Sequence, residues 1–228
     1  MDRQFLVLVA HGTTRAGARG VVGTLVAGVR AALPELEVRL AHVDVQSPAL
    51  ATVMAEVRAA GRAAVVVPLL LSAGFHVEVD IAEAVDPARD LVTPTLAGDP
   101  ALVELGLARL RAAGGVDLDA VVVAAAGSSR AGAREQVQRY AAGVAAATGL
   151  PTTVGWVAGP APDLDAVVRA ATGRVGVVSY LLAPGVFAAR AVELGTAGGA
   201  VAVGAALGPD PALADLAVRR YRAARMSP

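Results

Sequence analysis

Three histidines are the side chains in this 228-residue sequence best suited to metal or proton chemistry near neutral pH. They are His11, His42 and His76. The sequence has no Cys, which excludes disulfides, thiolate catalysis and Cys-ligated zinc or iron–sulfur centres. All 20 basic residues are Arg, so Schiff-base lysine chemistry and the lysine of a P-loop are excluded as well. Metal or proton chemistry near neutral pH therefore depends on these three imidazoles and on carboxylates.

Two of the histidines and one carboxylate follow apolar runs that are typical of buried strands. His11 comes directly after the run 5–10, Asp44 ends the second run, and His76 lies shortly after the third. Ligands of an open parallel sheet bind at the carboxyl ends of its strands. Two neutral imidazoles and a carboxylate suit a divalent first-row ion such as Fe²⁺, Co²⁺, Ni²⁺ or Zn²⁺. The pattern favours a metal site with His11, His76 and Asp44 as ligands, and the alternative for each histidine is a hydrogen-bonded structural role.

Other polar residues lie close to these three in the sequence. His42 shares a strand face with Asp44; its position favours a structural or rim residue over a member of the site, and the choice stays open. If a helix begins at position 75, Asp80 lies one turn after His76, on the same face. Glu78 and Asp80 either favour the helix N-terminus through its dipole or handle protons and metal, and both alternatives stay open.

The segment 12–20 contains Thr13 and Thr14 but neither a GxGxxG nor a GK[ST] motif, so a nucleotide-binding role is weakly supported. The two hydroxyls and the backbone N–H groups at a helix N-terminus could bind an anion. The alternative is a helix cap.

Short Val- and Leu-rich runs alternate with longer Ala- and Arg-rich segments along the whole chain. This alternation predicts an α/β fold with mainly parallel sheets. The predicted strands are 5–10, 36–43, 64–71, 121–125, 152–157 and 175–182. The predicted helices are 16–33, 48–60, 100–113, 131–148 and 211–224, with Ser47, Asp99 and Asp210 as N-caps of three of them.

The chain also repeats itself. Three blocks recur in the same order at offsets of 111 or 115: 9–19 as 124–134, 67–74 as 178–185, and 99–102 as 210–213. We therefore predict two homologous Rossmann-like halves, 1–114 and 115–228, each a four-stranded parallel sheet flanked by helices. The second half has apolar residues where the first has polar candidates: Ala126 for His11, Trp156 for His42, Ala158 for Asp44 and Phe187 for His76. One functional site, built mainly by the first half, is the simplest interpretation.

Composition and charge narrow the class of protein further. Apolar residues make up 55% of the chain, which allows a large core, and the net charge is zero, which gives no indication of a nucleic-acid partner. We see no signal peptide and no membrane span, and so expect a cytoplasmic protein without a membrane partner. The first half carries a net charge of −2 and the second a net charge of +2.

Three motifs together resemble those of the sirohydrochlorin chelatases, the class II chelatase family that also contains the anaerobic cobalt chelatases. They are His11-Gly-Thr, Asp44 with Pro48 shortly after it, and the segment 68–81, in which His76 stands 65 residues after His11. The resemblance covers the whole chain. The longer members of that family are internal duplications with an active first half and a degenerate second half, as the repeat here indicates independently.

The sequence departs from the family pattern at three positions. Thr13 stands where Ser is usual and keeps the hydroxyl, and Ala82 replaces a Pro that often follows Asp-Ile. Asp44 stands where Glu is common, and its side chain is shorter by one methylene, which affects its reach to a metal.

The resemblance implies insertion of Fe²⁺ or Co²⁺ into sirohydrochlorin, with release of two protons, in sirohaem or cobalamin biosynthesis. The metal is then a substrate, no organic cofactor is needed, and Ni²⁺ could be accepted in vitro. His11 and His76 would bind the ion and pass it to the ring nitrogens, one of them taking up a proton, with Asp44 as a third ligand or orienting carboxylate. Residues 1–114 would carry this site, and residues 115–228 would complete the cleft.

Because sirohydrochlorin carries several carboxylates, Arg side chains should help to hold it, and the candidates are Arg15 and Arg130 together with the Thr13 hydroxyl. Alternative functions are a non-catalytic metal or tetrapyrrole carrier, or a sugar- or nucleotide-binding module without metal. A His-dependent phosphatase is disfavoured because Ala10, not Arg, precedes His11. We expect a monomer or a homodimer.

Overall fold

The computed structural model describes residues 4–72, 75–159 and 161–226, and within the third helix it describes the side chains from Val79 onward. Strands and helices alternate through these residues. The strands are β1 Phe5–Ala10, β2 Glu37–His42, β3 Ala64–Pro68, β4 Leu91–Val92, β5 Ala120–Ala125, β6 Thr152–Trp156, β7 Val175–Tyr180 and β8 Ala202–Val203. The helices are α1 Ala16–Ala32, α2 Leu50–Ala59, α3 Phe75–Ala84, α4 Pro100–Ala112, α5 Ala131–Thr148, α6 Leu164–Ala170, α7 Val186–Ala197 and α8 Pro211–Met226. None of the helices in this described part is long and apolar enough to cross a membrane.

The strands form two four-stranded sheets whose paired strands are all parallel. Their orders are β2-β1-β3-β4 and β6-β5-β7-β8. Both sheets place the first strand of their copy between the second and the third. The predicted α/β fold, with two duplicated four-stranded halves flanked by helices, is confirmed.

The helix caps were predicted correctly in two cases out of three. The Asp99 and Asp210 carboxylates accept hydrogen bonds from the N–H groups two residues later, each at 3.0 Å. The prediction for Ser47 is wrong, because α2 begins at Leu50 with Ala49 as its N-cap. The carbonyl of Pro48 accepts the N–H of His42 at 3.0 Å, so it prolongs the pairing with β2 and cannot start a helix.

The core of the first sheet shows why its strands are uniformly apolar. All six residues of β1 are buried, and its alternate residues Phe5, Val7 and Val9 pack in one cluster with apolar residues of α2 and α3. The intervening residues Leu6 and Leu8 are also fully buried. A strand buried on both faces gives a continuous apolar run, which explains why the run 5–10 was predicted to the residue.

The chain divides into two compact units, of which the first is made of two separate segments and the second is continuous in sequence. Unit 1 comprises Met1–Leu96 and Pro209–Pro228, and unit 2 comprises Ala97–Gly208. Helix α8 therefore belongs to unit 1, where it packs against α1 and β3, and α4 belongs to unit 2, where it packs against α5 and β7. The two copies have thus exchanged their last helices, whereas the sequence repeat follows the order of the elements along the chain.

Candidate active site

The candidate residues of unit 1 lie at the carboxyl edge of its sheet. Strand β1 is paired with β2 on one side and with β3 on the other, so the segments that follow these strands leave the sheet side by side. His11 follows β1 directly, Asp44 follows the end of β2 by two residues, and α3, which contains His76, follows β3. This is the neighbourhood that the parallel-sheet argument predicted.

Backbone hydrogen bonds hold His11 and Asp44 next to each other. The N–H of Val43 donates to the carbonyl of Ala10 at 3.2 Å, and the N–H of Asp44 donates to the carbonyl of His11 at 2.9 Å. The β1–β2 pairing therefore continues past the ends of both strands. Because both residues are solvent-exposed, their side chains are available to a ligand.

Gly12 permits the close approach of these two segments. Its φ is +100°, a conformation that residues with a Cβ rarely adopt. A Cβ built at this position would overlap the carbonyl oxygen of Asp44. The glycine of the His11-Gly-Thr motif is thus a geometric requirement for the placement of His11 beside Asp44.

A tight turn after Asp44 fixes the direction of its carboxylate. Its Oδ1 accepts the N–H of Val45 at 2.8 Å, and its backbone carbonyl accepts the N–H of Gln46 at 2.6 Å. The Asp44 side chain is therefore anchored by its own turn. The bond to its own turn holds the Asp44 carboxylate at a defined position, although the Asp side chain is one methylene shorter than that of Glu.

Gln46 is a site residue that the sequence analysis missed. Its Oε1 accepts the N–H of Thr13 at 2.7 Å and so ties the turn after β2 to the loop after β1. The internal repeat contained a signal for it, because the offset that aligns Asp44 with Ala158 aligns Gln46 with Pro160. The histidines were singled out because each is a polar residue that aligns with an apolar residue of the second copy. Gln46, which aligns with a proline, meets the same criterion.

Two candidates for substrate binding, Thr13 and Arg15, lie in the loop between β1 and α1. The Thr13 Oγ1 accepts the N–H of Arg15 at 3.1 Å, and Arg15 is the N-cap residue of α1. The hydroxyl thus accepts a hydrogen bond in the turn before α1 and does not cap the helix, because the N-cap is Arg15, which makes no side-chain capping bond. The Arg15 side chain is exposed and, within the described residues, has no hydrogen-bond or ion-pair partner.

The remaining predicted residues of unit 1 lie on α3. His76 is the second residue of this helix, and the side chains of His76 and Glu78 lie outside the described ones. Asp80 is exposed, one turn after His76. Among the side chains that are described, no three His, Asp or Glu residues form a cluster that could hold a metal ion. The three-ligand set of His11, Asp44 and His76 stays a prediction.

His42 is placed in the core, below the edge that carries His11. It is the last residue of β2, lies opposite Ala10 and is 5% exposed. Burial lowers the pKa of its imidazole below 6.5, and an interaction with the Pro48 carbonyl opposes part of this effect. Its Nδ1 has no hydrogen-bond partner among the described residues. A buried, neutral imidazole fits the structural interpretation.

Unit 2 keeps the backbone of this site without its chemistry. Gly127 has φ +111°, and a Cβ there would overlap the carbonyl oxygen of Ala158. The N–H of Ala158 donates to the carbonyl of Ala126 at 3.0 Å, as Asp44 does to His11 in unit 1. Arg130 is the N-cap residue of α5, and its N–H donates to the Ser128 Oγ at 3.2 Å. The copy has conserved the loop geometry and lost the imidazole and the carboxylate.

The sequence matches one protein family twice. The family described as CbiX covers residues 5–113 and again residues 120–224. Each match spans one copy of the repeat, and together they account for most of the chain. No curated protein matches the sequence significantly.

Several solved structures share the fold over nearly the whole chain. SirB from Bacillus subtilis with Fe³⁺ has a TM-score of 0.81 at 19% identity and covers 99% of this chain and 96% of its own. The sirohydrochlorin chelatase SirB from Bacillus subtilis subspecies spizizenii, in complex with cobalt, has a TM-score of 0.78 at 21% identity, with coverages of 97% and 94%. CbiX, described as the terminal enzyme for biosynthesis of siroheme in denitrifying bacteria, has a TM-score of 0.73 at 22% identity, with coverages of 97% and 99%. At these identities the likeness shows a shared fold.

Proposed function

Because the chain belongs to the CbiX family, as its motifs predicted, we propose that it inserts a divalent metal ion, Fe²⁺ or Co²⁺, into sirohydrochlorin. Each turnover releases two pyrrole protons. The observation that carries the proposal is a pair of exposed side chains with donor atoms suited to a metal, His11 and Asp44, on adjacent segments at the carboxyl edge of the unit 1 sheet. Structures of the same fold described as holding iron and cobalt support the choice of metals.

The proposed ligands suit a metal that has to leave the protein. His11, Asp44 and His76 offer nitrogen and oxygen donors, which bind first-row ions without the tight enclosure of a thiolate cage. The chain contains no Cys at all. The ion is a substrate in this reaction, and the protein passes it to the four nitrogens of the macrocycle.

Proton removal is assigned to the same imidazoles. A pyrrole N–H loses its proton as the metal–nitrogen bond forms, and imidazole is the side chain that gains and loses a proton near pH 7. His11 is exposed, so it can pass the proton on to water. On α3 we assign the equivalent role to His76, with Glu78 and Asp80 as proton or metal-orienting groups.

Binding of the substrate's carboxylates is assigned to cationic and hydroxyl groups. Arg15 has an exposed guanidinium without a partner in the described part of the chain, and Thr13 precedes it in the same loop. Arg130 is the equivalent residue of the second copy. In this proposal residues 1–114 supply the metal-binding chemistry, and residues 115–228, the degenerate copy, contribute to holding the substrate.

The test is an anaerobic insertion assay with Fe²⁺ and Co²⁺ in parallel, followed by the absorption change of sirohydrochlorin. We expect His11→Ala to slow insertion by about a hundredfold or more and Asp44→Ala by about tenfold. The matched control is Asp215→Ala, an exposed aspartate of the same unit on α8, which should leave the rate unchanged. Preference for Fe²⁺ favours a role in sirohaem synthesis, and preference for Co²⁺ favours a cobalamin-type pathway.

Two results would contradict the proposal. If His11→Ala and Asp44→Ala both insert metal at the unmodified rate, these residues do not carry the chemistry. If the unmodified chain binds cobalt but does not exceed the spontaneous rate of insertion, the protein is a carrier.

A further inference from the structure

Val45 adopts a backbone conformation that its side chain disfavours. Its φ is +43°, in the left-handed region, where a β-branched residue is a genuine outlier because its side chain crowds the backbone. The side chain is also 62% exposed, so folding gains little from burying it. A strained residue without compensating burial points to a role outside folding.

The second copy shows that the turn itself does not need a valine. The offset that aligns Asp44 with Ala158 aligns Val45 with Gly159, whose φ is +91°. Both copies therefore place this position in the left-handed region, and the copy without the ligand residues uses glycine, which adopts that region freely. In the copy with the ligand residues, an apolar side chain has been kept there.

The location of Val45 indicates what its side chain contacts. Its N–H donates to the Asp44 carboxylate at 2.8 Å, so Val45 is fixed to one of the proposed ligands. A Cβ built on Gly12 would lie 3.3 Å from the Val45 Cγ2, so the side chain stands beside the residue that follows His11. An exposed apolar group therefore borders the edge where His11 and Asp44 lie.

We propose that Val45 is a substrate-contact residue, whose exposed side chain packs against the apolar face of a flat tetrapyrrole macrocycle. This inference rests on the proposed function. The acid groups of such a substrate lie on its periphery and its conjugated face is apolar, so recognition requires an apolar contact close to the metal ligands in addition to the arginines. The tight turn fixes the valine in one direction, and the backbone strain is retained for that contact.

The experiment compares stability and substrate affinity in the same variants. Val45→Asn removes the apolar surface and introduces a residue that tolerates the left-handed region. We expect its thermal unfolding midpoint to rise by about 2–4 °C. Its KM for sirohydrochlorin should rise about five- to tenfold, as expected for loss of one apolar side-chain contact. Cobalt binding without the macrocycle, measured by titration, should change less than about twofold.

Three further variants act as controls. Val45→Leu restores an apolar side chain and should recover most of the affinity that Val45→Asn loses. Val201→Asn, at an exposed valine of unit 2, should leave the KM unchanged. Gly159→Val places a valine in the equivalent turn of the second copy. It should lower the unfolding midpoint, because a β-branched residue at positive φ strains the backbone there and no substrate contact is proposed for it.

Opposite changes in stability and affinity distinguish this role from a structural one. A lower unfolding midpoint for Val45→Asn, or an unchanged KM in an active enzyme, overturns the inference and leaves the proposed function intact. Failure of Val45→Leu to recover affinity also overturns it, since leucine presents apolar surface at the same place. If the unmodified chain inserts no metal into sirohydrochlorin, the proposed function fails and the inference fails with it.

Discussion

Replacement of Gly12 by alanine should damage the candidate site and the stability of unit 1 together. An alanine at φ +100° costs about 1–2 kcal/mol from its backbone conformation alone. In addition, its Cβ would overlap the Asp44 carbonyl oxygen, so the segments after β1 and β2 must separate. We expect a total loss of about 2–4 kcal/mol in the free energy of unfolding.

The separation of these segments should also weaken metal binding. The N–H of Asp44 donates to the carbonyl of His11 at 2.9 Å, and this bond sets the spacing between the two proposed ligands. Because displaced supporting contacts usually reduce metal affinity by ten- to a hundredfold, we expect Gly12→Ala to weaken Co²⁺ binding by at least about tenfold.

Gly127→Ala is the matched control, because the same clash arises there with the carbonyl oxygen of Ala158. It should lower stability by a similar amount and leave Co²⁺ affinity unchanged. Denaturation can be followed by two signals. The single tryptophan, Trp156, is buried in unit 2, so its fluorescence reports that unit, whereas far-UV circular dichroism reports both. Gly12→Ala should shift the dichroism transition and leave the fluorescence transition in place, whereas Gly127→Ala should shift both.

The reasoning would be refuted by a Gly12→Ala protein that is as stable as the unmodified chain. It would be refuted equally if both glycine variants lost cobalt affinity to the same extent, since the second copy has neither the imidazole nor the carboxylate.

Two other predictions concern the core and the exchanged helix. Burial lowers the pKa of His42 below 6.5, so the unfolded chain binds more protons and stability falls as the pH drops below about 6.5. His42→Phe should reduce the fall of the unfolding midpoint between about pH 7 and pH 5.5, and an equal fall in both proteins would contradict this. Removal of residues 209–228 deletes α8, whose large buried side chains Leu213, Leu216 and Tyr221 each contribute roughly 1.5–3 kcal/mol. Hydrogen exchange should then show loss of amide protection in β1 with protection retained in β5, and retained protection in both strands would contradict it.

Much of the site's placement could be predicted from the sequence, because few physical rules determine it. Alternation of apolar runs with helical segments implies parallel strands, and parallel strands bring the residues after their carboxyl ends together. His11 and Asp44 are accordingly neighbours. The strand 5–10 and the helix 131–148 were predicted to the residue because apolar pattern and length are sufficient for both.

Other features depend on information that a hydropathy pattern does not contain. Strands β4 and β8 have two residues each, too few to produce a recognisable alternation. The prediction of Ser47 as an N-cap was wrong, because the hydrogen bond between the His42 N–H and the Pro48 carbonyl overrides the helix-start signal of the Ser-Pro sequence. The exchange of α4 and α8 is not visible in the sequence, since the repeat preserves element order whichever sheet each helix covers. The conformation of Val45 and the contact of Gln46 with Thr13 depend on backbone angles.

The exchange of the terminal helices sets the order in which the chain can mature during synthesis. Unit 2 is continuous from residue 97 to residue 208, so all of its elements are available once that stretch has left the ribosome. Unit 1 is begun before unit 2, yet α1 and β3 lack the packing of α8 until residues 211–226 emerge. The residues of unit 1 that carry His11 and Asp44 are therefore translated before unit 2, yet unit 1 is completed only after it. A chain interrupted after residue 208 holds a complete unit 2 and an incomplete unit 1, so the capacity proposed for metal handling is acquired only once α8 has been translated.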